Sequence, residues 1–142
     1  MKILLAVDGS KPSLAAARLL VEHADWYRDK PEVELLTVHL PVPKLPVMSA
    51  AVGKAQIARY YEEEGEANLA AAKKVLERAG VDYRASILVG PIAETIAKHA
   101  KSARCDLIYL GSHGRSAMAD VLIGSTASKL LQISDVPVLL AK

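Results

Sequence analysis

The sequence lacks phenylalanine, has one cysteine among 142 residues and carries little net charge. The lone Cys105 excludes an intramolecular disulfide and fits a reducing compartment. The formal net charge is only +2 and the basic residues are scattered, so the charge pattern does not indicate nucleic-acid binding. No apolar run approaches the roughly 20 residues of a membrane-spanning helix, and a first strand beginning at Lys2 and Ile3 leaves no room for a signal peptide. We therefore expect a soluble, cytoplasmic protein that binds neither nucleic acid nor membrane.

What the sequence does contain is a large apolar fraction, 51% of the residues. A chain of this length can bury a real core, which has to be built from Leu, Val, Ile and Ala. No linker, repeat or low-complexity tract is present, so we expect a single domain over residues 1–142. Cys105 is expected to be a small core residue.

Apolar runs of strand length alternate with helical patterns along the whole chain. The predicted strands are about Ile3–Val7, Glu32–His39, Val81–Val89, Asp106–Leu110 and Val136–Ala141. The predicted helices span about 12–27, 51–79, 92–102 and 125–133. This alternation predicts an α/β fold, with an open, twisted, five-stranded parallel sheet and helices on both faces, as in Rossmann-like proteins.

Three further features of these elements can be tested. Pro137 lies inside the last predicted strand and costs it a ladder donor, so an edge position or a special pairing is expected. The proline-rich stretch Leu40–Ala50 is predicted to be a loop, of a length typical of lids and contact surfaces. The apolar face of the long second helix is predicted to include Ile57, Tyr60, Tyr61, Ala67, Ala71, Val75 and Leu76.

A glycine-containing stretch after the fourth strand carries the main functional signal. It reads Gly111-Ser112-His113-Gly114-Arg115 and continues, nine residues after Gly114, with Gly124-Ser125-Thr126. Between a strand and a helix, backbone amides are free and the helix N-terminus carries partial positive charge. These are the features that hold phosphate, so we expect an anion site here.

Each residue of this stretch has a possible binding role and a simpler alternative. Gly111 and Gly114 would let the backbone turn tightly and approach a ligand, or would only shape a turn. Ser125 and Thr126 would donate amide and hydroxyl hydrogen bonds to phosphate; the alternative is a plain helix cap, and the two roles can coexist. Arg115 could neutralise phosphate charge, or be solvated. The chain has neither a G-x-x-x-x-G-K-S/T loop nor a G-x-G-x-x-G after its first strand, so the expected site is of another kind.

In an open parallel sheet, ligands bind beyond the carboxyl ends of the strands, where the strand order reverses. If the first strand lies beside the fourth, Asp8 meets the glycine-containing stretch and Val38 forms a wall. Asp8 could then bind a ribose hydroxyl, or a metal through water, or only cap the following helix. His113 is interpreted as a loop histidine rather than a catalytic base.

The sequence resembles the universal stress protein family over essentially its whole length. The resemblance rests on Ile3–Ser10, on the spacing Gly111-x2-Gly114-x9-Gly124-Ser125, which matches the ATP-binding branch, and on Val136–Leu139. It implies ATP, with Mg²⁺ or Mn²⁺ held by the phosphates, and a homodimer that pairs its last strands. The implied contacts to adenine and ribose are Ala6, Asp8 and Val38. Those along the ribose and phosphates are Leu110, Gly111, Gly114, Gly124, Ser125 and Thr126. Ala117 and Thr126 depart from the residues frequent in that family.

Three functions follow from this resemblance. The leading one is an ATP-dependent regulatory or stress-response factor with at most slow hydrolysis. A genuine ATPase or phosphotransferase would need a residue that orients the attacking group, and only Arg115 and His113 are candidates. The third is a dimeric stress protein that binds no nucleotide, which the intact glycines disfavour.

Overall fold

The computed structural model describes residues 1–43, 53–114 and 123–142. The strands are β1 Lys2–Ala6, β2 Glu32–His39, β3 Tyr83–Val89, β4 Leu107–Gly111 and β5 Val138–Ala141. The helices are α1 Lys11–Glu22, α2 Lys54–Arg78, α3 Ile92–Ser102 and α4 Ser125–Ile133, with a 3₁₀ turn at Ala24–Trp26. Residues 44–50 of the predicted 40–50 loop lie outside the described residues, as do residues 51 and 52. Among the helices in these ranges, none is both long and apolar enough to cross a membrane.

The strands form one parallel sheet with the order β3-β2-β1-β4-β5. β1 lies at its centre, paired with β2 on one side and β4 on the other. The predicted α/β class and the five parallel strands are confirmed, and β1 and β4 are neighbours, which is the condition on which the predicted meeting of their loops depends. The strand order reverses at β1, so the ends of β1 and β4 define the switch point of the fold.

The helices cover both faces of the sheet, as predicted. α1 and α2 pack over a cluster that contains Leu5, Leu35 and the fully buried Tyr109. α3 and α4 pack over a second cluster that contains Leu36 and Ile108. Because β1 is buried from both sides, its apolar side chains occur in succession and do not alternate with polar ones.

Cys105 belongs to the second cluster, where it is buried as predicted. It lies just before β4, and burial raises the pKa of its thiol above the ordinary value. The residue therefore has the character of an inert core thiol rather than a nucleophile.

Several predicted boundaries and faces are wrong in detail. α1 ends at Glu22, before the 3₁₀ turn, and not at about Tyr27. β5 begins at Val138, so Pro137 precedes it; the Pro137 carbonyl accepts a bond from the Ile108 amide at 2.9 Å and no ladder donor is lost. The edge position of β5 is confirmed.

The buried face of α2 differs from the predicted one. Ala67 and Ala71 are exposed, and Tyr60 is 51% exposed. The buried residues are Gly65, Asn68, Leu69, Ala72 and Leu76. Gly65 has no side chain, which brings the helix close to β3: a Cβ atom there would lie 2.5 Å from Cδ1 of Ile87. The helix therefore packs through a glycine that an apolar pattern does not include.

Candidate functional site

A cavity of about 670 Å³ opens at the carboxyl ends of β1, β2 and β4. Nine of the ten residues predicted to contact a nucleotide line it: Ala6, Asp8, Val38, Leu110, Gly111, Gly114, Gly124, Ser125 and Thr126. The tenth, Arg115, lies outside the described residues, as does Ala117. The structure thus brings together residues that are far apart in the sequence, at the switch point of the sheet. Their contact with a ligand stays a prediction.

Asp8 follows β1 and is held by the turn after it. Its Oδ1 accepts hydrogen bonds from the amide of Ser10 at 3.0 Å and from the Ser10 hydroxyl at 2.5 Å. The cap of α1 is Ser10, whose Oγ accepts from the amide of Ser13 at 3.3 Å. Asp8 is therefore not the helix cap, and its fixed carboxylate lines the cavity.

The two glycines after β4 make room for other parts of the protein. A Cβ atom on Gly111 would lie 2.6 Å from the carbonyl oxygen of Pro12, so the end of β4 packs directly on the first turn of α1. A Cβ atom on Gly114 would lie 2.8 Å from Oδ2 of Asp8. The backbone around Gly114 therefore lies against the Asp8 carboxylate, and the loops after β1 and β4 form one wall.

The N-terminus of α4 faces this wall. Its N-cap is Gly124, which has no side chain to cap the helix. Ser125 and Thr126 lie inside the first turn, so neither of them is the helix cap. The Gly124 amide donates to the carbonyl of Ser112 at 2.7 Å, and the first helical bond joins the Ser128 amide to Gly124 at 2.9 Å. The amides before Ser128 have no partner within the helix. An uncapped helix N-terminus of this kind attracts an anion.

The other end of the cavity is mainly apolar, and most of it was not predicted from the sequence. Beside Val38, its lining includes Leu36, Leu40, Pro41, Pro43, Tyr60, Tyr61, Ile92 and Ile96. The amide of Val42 donates to the hydroxyl of Tyr61 at 2.7 Å, which ties the chain after β2 to α2. The His39 ring lies 5.7 Å from that of Tyr61. In the sequence, the signal that could have indicated this apolar end was the pair of adjacent tyrosines, Tyr60 and Tyr61, after the proline-rich stretch.

Polar side chains also line the cavity, among them Asn68, Ser112 and His113. Asn68 is 6% exposed, and its Nδ2 lies 3.5 Å from Oγ1 of Thr37. Ser112 Oγ lies 3.0 Å from Nδ1 of His113. Across the described ranges, no group of three or more His, Cys, Asp or Glu side chains is arranged to hold a metal ion.

The fold and the position of the cavity define a doubly wound α/β protein with its candidate site at the topological switch point. The model of the universal stress protein family matches residues 1–142, and the chain belongs to that family. The protein MJ0531 of Methanocaldococcus jannaschii is 30% identical over 142 residues, which cover 99% of this chain and 81% of that protein. Slr1230 of Synechocystis is 36% identical over 67% of this chain, but the match spans only 32% of Slr1230.

Solved structures share the fold. That of MJ0577 from Methanocaldococcus jannaschii superposes with a TM-score of 0.83 at 28% identity, covering 99% of this chain and 94% of that one. A universal stress protein in complex with cAMP has a TM-score of 0.73 at 22% identity, covering 100% and 97%. A family member from Arabidopsis thaliana with AMP bound has a TM-score of 0.70 at 18% identity, covering 100% and 91%. The last two likenesses establish the fold alone.

Proposed function

We propose that this protein binds an adenine nucleotide, ATP with Mg²⁺ or Mn²⁺, and acts as a nucleotide-dependent regulatory factor in stress response. One observation carries the proposal: three chemically different surfaces lie in a row across neighbouring strand ends. The apolar wall follows β2, the Asp8 carboxylate follows β1, and the uncapped N-terminus of α4 faces the end of β4. Two strand spacings separate the outer surfaces by about 10 Å. A ligand with an apolar ring, a hydroxyl-bearing middle and an anionic end matches this order.

In this arrangement each surface has one task. The apolar wall, with Val38, would exclude water from the base, and Asp8 would accept hydrogen bonds from ribose hydroxyls. The amides at Ser125 and Thr126 would donate to phosphate oxygens, since they precede the first helical hydrogen bond. The phosphates, rather than protein side chains, would supply most ligands of the Mg²⁺ ion. Binding, rather than turnover, is the activity that the described cavity residues support.

Relatives agree with a nucleotide ligand. The two solved structures with cAMP and AMP share the fold of this chain, and both ligands contain adenine, ribose and phosphate. The space available favours a ligand larger than a bare anion, because a cavity of about 670 Å³ lies within the size range of small-molecule sites.

The direct test is to purify the protein under native conditions, denature it and identify released nucleotides by mass spectrometry. We expect ATP or a close relative, together with calorimetric binding of added ATP and Mg²⁺ by protein freed of ligand. A protein that carries no nucleotide and binds none of ATP, AMP and cAMP in calorimetry would contradict the proposal and favour the dimeric protein without nucleotide.

A substitution at the N-cap of α4 tests the phosphate end of the site. A Cβ atom at Gly124 would lie 3.3 Å from the carbonyl oxygen of Ser112 and from Cα of His113, so valine would push the two halves of the anion site apart. We expect Gly124→Val to weaken ATP binding at least tenfold, or about 1.4 kcal/mol.

Gly53 provides a matched control for this substitution. It is the N-cap of α2, likewise without a side-chain cap, and its φ and ψ of −64° and 154° resemble the −65° and 158° of Gly124. Among the residues that the structure describes, a Cβ atom there meets nothing within 4 Å. Gly53→Val should therefore leave ATP affinity unchanged. Equal affinity in folded Gly124→Val would mean that the phosphates lie elsewhere.

We also propose that residues 1–142 act as a single domain and that two copies pair through β5. β5 is an edge strand with β4 as its only neighbour among the described strands. An edge of this kind presents unpaired backbone groups that a second copy can satisfy.

A further inference from the structure

Tyr61 lines the apolar end of the cavity, and its hydroxyl group already has one hydrogen-bonding partner. It accepts the amide hydrogen of Val42 at 2.7 Å. A phenol hydroxyl can accept and also donate one hydrogen. Within the described ranges, the structure records no acceptor for that hydrogen. The bond from Val42 therefore holds the oxygen in place and leaves the donor to a ligand.

The surroundings of this hydroxyl restrict what it can meet. Tyr61 belongs to α2 and contacts the chain after β2, on the side of the cavity that carries Val38 and Pro41. Asp8 follows the next strand in the sheet, and the N-terminus of α4 lies one strand further. A nucleotide with its phosphates at α4 and its ribose at Asp8 brings its base to Tyr61.

We infer that Tyr61 is the residue that reads the base, donating its hydroxyl hydrogen to a ring nitrogen of a purine. The inference rests on the proposed nucleotide site and adds the side chain that sets its selectivity. A ring nitrogen is the suitable acceptor because it lies at the edge of a flat apolar ring, which is the shape that the wall encloses. A ligand that lacks this acceptor leaves the hydroxyl desolvated without a partner, and so binds less well.

The first experiment compares Tyr61→Phe with the wild type in calorimetric titrations with ATP and with tripolyphosphate. We expect ATP to bind about fivefold more weakly to the variant, the effect of one neutral hydrogen bond, and tripolyphosphate to bind both proteins equally. Tyr83→Phe is the matched control. The Tyr83 hydroxyl donates to Glu77 at 2.7 Å, and Tyr83 is not among the residues that line this cavity. We expect this variant to bind ATP as the wild type does.

The second experiment separates base reading from a purely structural role, because Tyr61→Phe also removes the acceptor of the Val42 amide. The 1-, 3- and 7-deaza analogues of ATP each replace one ring nitrogen by a carbon. We expect one of the three to bind the wild type about fivefold more weakly than ATP does, and to bind Tyr61→Phe and the wild type equally.

If all three analogues lose affinity with the variant as ATP does, Tyr61 only supports the wall and the inference is wrong. If wild-type protein does not bind ATP at all, the proposed function itself fails. The wild-type arm needs no variant and so stands even if Tyr61→Phe folds poorly.

Discussion

At the scale of single residues, a pair of hydrogen-bonded tyrosines differs in burial, and this difference determines which of the two hydroxyls contributes more to stability. The hydroxyls of Tyr27 and Tyr109 are hydrogen-bonded to each other. Tyr109 is fully buried in β4, whereas Tyr27 is half-buried in the chain after the 3₁₀ turn. Burial, with the bond to Tyr109, raises the pKa of Tyr27 well above its ordinary value. The bond therefore ties a surface segment to the core of the sheet.

We predict that Tyr27→Phe destabilises the protein more than Tyr109→Phe does, although Tyr27 is the more exposed residue. Removing the Tyr27 hydroxyl leaves that of Tyr109 buried without a partner, which costs about 1–3 kcal/mol. Removing the Tyr109 hydroxyl leaves that of Tyr27, whose side chain is only half-buried, and should cost less, about 1 kcal/mol. Urea unfolding of the two single variants and the double variant measures the difference. A double variant less stable than Tyr27→Phe would contradict this account.

Residue-level prediction from the sequence was most successful where a backbone feature carried the signal. The loop of Gly114 was predicted to lie beside Asp8, and Gly124 to precede a helix. In the structure, Gly114 lies against the Asp8 carboxylate and Gly124 is the N-cap of α4. The alternative role of Asp8 as a helix cap could not be resolved in advance, because Ser10 and Asp8 are both good capping residues two positions apart. The structure assigns the cap to Ser10.

At the scale of elements, Gly65 determines how α2 packs on the sheet. Alanine is favoured over glycine inside a helix by about 1 kcal/mol. In this helix, however, the new methyl group would lie within 2.7 Å of three carbons of Ile87, a β-branched side chain that has little freedom to move. Such overpacking costs about 1–3 kcal/mol. The packing penalty should therefore exceed the gain in helix propensity.

We predict that Gly65→Ala lowers the free energy of unfolding by about 1 kcal/mol, against the helix propensity. Ile87→Ala supplies the matched background, since it removes the carbons that collide. In that background, Gly65→Ala should be stabilising. Denaturant unfolding of the four proteins gives the two effects, and the same sign in both backgrounds would show that Ile87 does not set the helix position.

The long helix also shows why its buried face was mispredicted. Its sequence is rich in alanine on every side, so alanines alone cannot mark the side that is buried. The observed face contains Gly65 and Asn68, neither of which counts as apolar in a periodic pattern. By contrast, β2, α3 and α4 were predicted with their observed bounds, because proline, glycine or polar residues delimit them.

At the scale of the whole molecule, the sheet could be predicted because alternating strands and helices leave few topologies. The same topology placed the ends of β1 and β4 together and so predicted one side of the cavity. The apolar side could not be predicted, because its residues come from α2, α3 and the chain after β2. Only the tertiary packing brings Tyr61 and Ile92 to the same space.

The assembly of the molecule can be tested at the outer edge of β5, which pairs only with β4 among the described strands. The carbonyls of Pro137 and Ala141 accept bonds from Ile108 at 2.9 Å and from Ser112 at 2.7 Å, so alternate residues of β5 face β4. Val138 therefore directs its amide to the open edge. We predict that Val138→Pro, which removes that donor without touching the β4 ladder, converts a dimer paired through β5 to a monomer in light scattering. Val138→Ala keeps the amide while losing more of the side chain, and should stay dimeric. A proline variant that remains folded and dimeric would show that the two copies associate through another surface, because pairing of two edge strands depends on the outward-facing amides that proline lacks.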